Sequence, residues 1–209
     1  GIIAQELARV DVSISTFCGV HSGLAMGSIY LCGSEEQKQE WLPAMQRMEK
    51  IGAFGLTEPE VGSAVAGGMN TSCKFDGEKW ILNGQKKWIG NATFADVIII
   101  WARDLDSNQV KGFLVRKENP GFKAEKMEDK MALRIVQNAI ITLTDCVIEE
   151  KDRLQNANSF KDTAKVLTFH FCVNLYLHRM AFQILLQDQS SDILLCDFPI
   201  SLDQPVHLP

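Results

Sequence analysis

Two short stretches carry residue types that could do chemistry. The first is Phe54-Gly55-Leu56-Thr57-Glu58-Pro59-Glu60-Val61-Gly62-Ser63, where an apolar run ends on a Thr and passes into a loop bearing Pro and Gly. Such a loop exposes backbone N–H groups and a hydroxyl at a strand end, which suits hydrogen bonding to a planar ring or a phosphate. Thr-Glu-Pro is equally an ordinary turn opener. The second stretch is Lys86-Lys87-Trp88-Ile89-Gly90-Asn91. A Trp at a strand end either packs into a core or walls a flat ligand, and composition alone favours the core. Glu58 and Glu60 invite a reading as acid–base groups, but turn and surface charge is the stronger expectation for both. The six cysteines, at 18, 32, 73, 146, 172 and 196, form no CxxC pair and have no His at ligand spacing. Reduced thiols are therefore expected, and no metal site.

The elements that must position these stretches follow from pattern. Residues 2 to about 32 read as helical, with Ile2, Ile3, Leu7 and Val10 at helix spacing. Glycines at 19, 23 and 27 predict close helix packing. Ser34 followed by Glu35, Glu36 and Gln37 is a capping box that opens a helix, and Trp41-Leu42 is expected to end it against Pro43. The texture changes at Lys50. Ile51–Leu56, Thr71–Phe75, Lys79–Leu82, Gln85–Ile89, Asp96–Trp101, Val110–Val115, Phe122–Lys126 and Ala139–Val147 read as short strands. Asp76-Gly77 and Asn83-Gly84 read as turns between them. Many short strands without intervening helices predict a small β-barrel or sandwich, and roughly 100 residues is a fair size for it. Ser159–Leu167 reads as the start of another helix.

The fold class is thus α+β: a partial N-terminal helical domain (1–50), a middle β-barrel or sandwich domain (51–150), and the start of a C-terminal helical domain (151–167). A divergent tail (168–209) follows. The chain has 209 residues, 46% hydrophobic and 22% charged, with a net charge of -5. It has no basic stripe, so nucleic acid is not expected as a partner. No apolar run reads as long enough to span a bilayer, so neither is a membrane.

The order and spacing of the two stretches resemble the acyl-CoA dehydrogenase and oxidase family. Its string LTEPxxGS stands here as Leu56–Ser63, and its NGxKxWIxN as Asn83–Asn91. Gly33-Ser34-Glu35-Glu36-Gln37-Lys38 through Leu42-Pro43 is similar to another family segment, and Lys130-Met131-Ala132-Leu133-Arg134 resembles its K-x-G-x-R turn. The resemblance covers residues 1 to about 167. It is nearest to the glutaryl-CoA dehydrogenase branch and to plant peroxisomal short-chain acyl-CoA oxidases.

That resemblance implies an FAD-dependent oxidoreductase that desaturates short-chain acyl-CoA at the α,β bond in fatty acid β-oxidation. Phe54, Gly55, Leu56, Thr57, Glu58, Pro59, Glu60, Val61, Gly62 and Ser63 would line the flavin. Thr57 would bond the pyrimidine side of the ring, and Ser63 would meet the CoA substrate. Trp88, Ile89 and Gly90 would cover the flavin face away from the substrate. The family's base is a Glu near a Tyr-Glu-Gly motif, which this sequence lacks, so no catalytic residue is assigned. The alternative is a truncated, non-catalytic product that keeps the middle domain and part of the flavin site. A frame change, retained intron or incomplete gene model near Leu167 would account for the tail. Parent-family members are homo-oligomers. A peroxisomal location is implied, with the mitochondrial matrix as alternative.

Three positions depart from the family pattern. Gly90 stands where dehydrogenases commonly carry Thr, which points weakly toward an oxidase or marks a branch-specific turn residue. Ala64 replaces an Asp, and Ala132 replaces a Gly whose position, if it needs positive φ, would strain Ala.

Overall fold

The structure is a computed structural model that describes residues 2–62 and 65–170. Its first part is helical: α1 (Ile2–Val10), α2 (Val12–Cys18), a π-helical turn (Gly19–Met26), α3 (Gly27–Cys32) and α4 (Glu35–Gln46). Asp11 caps α2, its carboxylate accepting from Ser13 N at 2.6 Å. Ser34 and Gln37 form the expected reciprocal capping box on α4. Contrary to expectation, α4 runs through Pro43 to Gln46. Trp41 and Met45 are both buried on its inner face, and that packing outweighs the one backbone bond a Pro removes. Contrary to the expectation of no such run, residues 12–32 form one helical stretch that is, on length and composition, long and apolar enough to cross a bilayer. Within it His21, Ala25 and Ile29 are fully buried, Ala25 and Ile29 in the apolar cluster shared with the sheet.

The remainder is one curled, mixed seven-stranded sheet: β1 (Gly52–Gly55), β2 (Ser72–Phe75), β3 (Lys79–Ile89), β4 (Val97–Asp104), β5 (Val110–Arg116), β6 (Phe122–Lys126) and β7 (Ala139–Glu149). The order is β1-β4-β2-β3-β7-β6, with β5 on the other edge of β4. β1 and β2 share one edge of β4, both parallel to it, so β4 is buried almost throughout. This explains its continuous apolar run, Val97–Trp101. A short helix, α5 (Val65–Gly68), separates β1 from β2.

The β2–β3 hairpin turns at Asp76-Gly77 as expected. The Asp76 carboxylate accepts from Glu78 N and Lys79 N, and Gly77 takes φ +105. Asn83-Gly84, by contrast, is no turn: β3 runs on to Ile89, with a register shift against β7 between Leu82 and Gly84. Gly84 takes φ +144, and a Cβ there would lie 2.7 Å from Thr71 Cα, so the Gly serves a bulge and a close backbone approach. Residues 160–170 are helical (α6). Ser159 opens α6, the Asp162 carboxylate reaching back to Ser159 N at 3.1 Å. Phe169 and His170 of α6 lie against Gly19, Gly23 and Gly27, so the glycine spacing does mark close helix packing. Two apolar clusters, one between helices and sheet and one inside the curl of the sheet, hold the fold together.

Candidate functional site

The two motifs come together along β1 and the end of β3. Lys87 N donates to Thr57 O at 2.9 Å, so Trp88 follows directly on the residue bonded to Thr57. Thr57 is half-buried. Its own N–H and hydroxyl have no hydrogen-bond partner among the described residues. Trp88 adopts φ +64, a left-handed conformation rare for a bulky residue, and its side chain is 53% exposed. The other three tryptophans, at 41, 80 and 101, are buried. An exposed Trp88 and two unpartnered Thr57 donors on the neighbouring segment suit a planar heterocycle with acceptors on its edge.

Beneath this surface lies a buried ion pair. Lys86 Nζ donates to Glu58 Oε1 at 2.9 Å and to Leu56 O at 3.1 Å, and both side chains are sealed from solvent. The Glu58 carboxylate also accepts from Asn70 N (2.6 Å) and Thr71 N (2.9 Å). Burial alone would raise the Glu58 carboxyl, but the Lys86 charge and these hydrogen bonds outweigh it and hold the group below the usual carboxylate range. Burial pushes the Lys86 ammonium down to about 8, against the pull of Glu58. The surface-charge expectation for Glu58 is therefore corrected. Its side chain points inward because a lysine 28 positions on and two backbone donors await it there. Glu60 is exposed, as expected.

The turn after β3 has a second left-handed residue, Asn91 (φ +67), which is buried. Its Nδ2 donates to Phe17 O (3.4 Å) and Gly52 O (3.3 Å), joining the end of α2 to the start of β1. His21 makes a second such link. Gly52 N donates to His21 Nδ1 at 3.0 Å, so Nε2 carries the ring hydrogen and donates to Met45 O at 3.0 Å. Neither pin stood out in the sequence, since their partners are distant backbone carbonyls and amides.

The predicted site residues divide by environment. Phe54, Leu56 and Ile89 have core side chains, with Phe54 edge-on to Trp101 at 6.2 Å, so only their backbones face outward options. Gly55 and Gly90 are buried, while Pro59 and Gly62 lie exposed and Val61 half-buried. Ser63 and Ala64 lie outside the described residues, as do Cys172 and Cys196. Gly90 has no positive φ, and a Cβ there would meet Val20, Val136 and Asn138 at 3.5–3.9 Å, ordinary contact. An alanine would therefore fit. Ala132 also lacks positive φ, and its neighbours Asp129 and Leu133 take it instead, so the feared strain at Ala132 is absent. Cys18, Cys32, Cys73 and Cys146 are free thiols. Burial pushes Cys32 up to about 11 and Cys146 to about 12, away from reactivity.

The profile of the acyl-CoA dehydrogenase N-terminal domain matches residues 1–49, and that of the acyl-CoA dehydrogenase middle domain matches 53–146. The chain belongs to the acyl-CoA dehydrogenase family. Mouse mitochondrial short-chain specific acyl-CoA dehydrogenase is 36% identical over 156 residues, covering 73% of this chain and 38% of that protein. The human counterpart is 37% identical over 150 residues, covering 70% and 36%. A glutaryl-CoA dehydrogenase from Mycobacterium smegmatis, solved in complex with FADH2, superposes with a TM-score of 0.76 at 40% identity, covering 80% of this chain and 42% of that one. An acyl-CoA dehydrogenase from Bacillus anthracis complexed with FAD gives 0.75 at 30% identity, covering 80% and 29%. The chain thus spans less than half the length of these relatives. They are named dehydrogenases, the mouse and human ones mitochondrial. The expectation of a peroxisomal oxidase finds no support among them.

Proposed function

We propose that this chain supplies one wall of an FAD site in an enzyme that dehydrogenates short-chain acyl-CoA at the α,β bond, as a step of fatty acid β-oxidation. The observation that carries the reading is the exposed, left-handed residue Trp88 next to the Lys87–Thr57 backbone bond, together with the unpartnered N–H and hydroxyl of Thr57. Bound FAD would accept the hydride from the β-carbon. Thr57 donates to the ring edge, Trp88 covers one ring face and excludes water from it, and Ser63 contacts the acyl-CoA. Phe54, Gly55, Leu56, Pro59, Glu60, Val61, Gly62, Ile89 and Gly90 contribute backbone and shape to the same wall. Glu58 is a support, since its carboxylate is committed to Lys86 and two backbone amides. None of these residues is assigned as the base. Domain limits near residues 50, 150 and 167 accompany this reading. The dehydrogenase names of the relatives favour a carrier flavoprotein over oxygen as electron acceptor, and the mitochondrial matrix as location.

Adding FAD to the purified chain should quench the emission of Trp88 and bring the flavin down with the protein on gel filtration. Thr57→Ala should weaken this several-fold. In the whole protein, butyryl-CoA should bleach the visible flavin band without oxygen uptake. Absence of any flavin binding by the whole protein would refute the proposal.

A further inference from the structure

The loop between β6 and β7 carries a cluster that the family motifs leave without a role. Among the described residues, Lys130 has no carboxylate within ion-pair distance. Instead its ammonium donates to Leu133 O (2.8 Å), to Val136 O and to Asn138 Oδ1 (2.7 Å), which uses all three of its protons. Its pKa is lowered, first by desolvation and then by the nearby Lys126 charge. Asn138, with its oxygen so held, turns its amide outward, and Nδ2 donates to Trp88 O at 3.1 Å. Asn138 O also accepts from Met127 N at 2.8 Å, tying the loop's two ends. The loop spends two left-handed residues, Asp129 (φ +55) and Leu133 (φ +49), to wrap its carbonyls around the ammonium. It buries only Val136, beside Gly90, and leaves Met131 fully exposed and Ile135 67% exposed. Apolar packing therefore does not account for its shape.

A left-handed conformation in a bulky residue persists only where its surroundings over-determine it. The carbonyl of Trp88 is the handle, and Asn138 grips it. We propose that Lys130 and Asn138 are positioning residues: the ammonium orients the Asn138 amide, and that amide fixes Trp88 so that its ring is presented to the flavin. This rests on the flavin reading above.

The four tryptophans make the test direct, because Trp88 alone is solvent-exposed. Iodide quenching of the 209-residue chain reads Trp88, and Trp88→Phe supplies the blank. Asn138→Asp is the decisive variant. It is nearly isosteric and still accepts from Lys130, but it cannot donate to Trp88 O. A role confined to loop folding would leave Asn138→Asp like the wild type. Under the proposal, Asn138→Asp, Asn138→Ala and Lys130→Met all lower the anisotropy of the quenchable emission. They also weaken FAD binding about three- to tenfold, the fold-change one neutral hydrogen bond provides. Far-UV circular dichroism stays unchanged for both Asn138 variants, which carry the test should Lys130→Met fail to fold. Unchanged anisotropy in Asn138→Asp overturns the proposal. If FAD fails to quench the wild-type emission at all, the flavin reading falls, while the anisotropy result still decides the grip on Trp88.

Discussion

Lys86→Met removes one half of the Glu58–Lys86 pair and keeps the aliphatic volume. In the native chain the carboxylate sits beneath the putted-together motifs with one ammonium and two backbone amides as its partners. Deleting the ammonium strands a buried charge, which costs about 3–5 kcal/mol. For a chain of this size that corresponds to a drop in Tm of about 6–20 °C. Urea unfolding followed by tryptophan emission measures it. The double variant Lys86→Met with Glu58→Gln should recover part of the loss, giving a coupling of about 1–3 kcal/mol in the cycle. The acid limb adds a sign. In the wild type the Glu58 carboxyl lies below its ordinary 4.5. Its contribution is complete above that value and is lost as pH falls below it, because the unfolded chain takes up the proton first. In Lys86→Met burial dominates and raises the carboxyl, so that variant should gain stability as pH falls through the raised value. A cost below about 1 kcal/mol, the range of exposed pairs, or additive effects in the cycle, would refute the argument.

Three further outcomes follow from particular contacts. Gly84→Ala should lose about 2–4 kcal/mol in denaturant titration, since a Cβ at φ +144 would press on Thr71 Cα at 2.7 Å. Gly90→Ala should stay within about 1 kcal/mol of wild type in the same assay, because its Cβ meets neighbours only at ordinary contact distance. Asn91→Ala should cost about 2–3 kcal/mol in thermal unfolding, having lost both carbonyl contacts and a side chain that tolerates left-handed backbone.

Local signals were legible from the residues alone. The capping box at Ser34–Gln37 and the hairpin at Asp76-Gly77 each depend on groups within a few positions of one another, and each formed as the pattern implies. The helix running past Pro43 and the bulge at Gly84 did not read correctly. In both, a tertiary neighbour, the buried Met45 or Thr71, overrides a local preference.

The order of the motifs by itself determined the family. Only the tertiary structure decided how that site is held. Glu58 and Lys86, or Trp88 and Asn138, lie 28 and 50 positions apart, and nothing in their types names the partner. The Lys87–Thr57 backbone bond brings the first pair together and the β3–β7 pairing the second, and for Glu58 and Lys86 exclusion of water then makes the pairing matter. In another tertiary setting the same two stretches would carry a surface glutamate and a core tryptophan, the environments that composition alone favours.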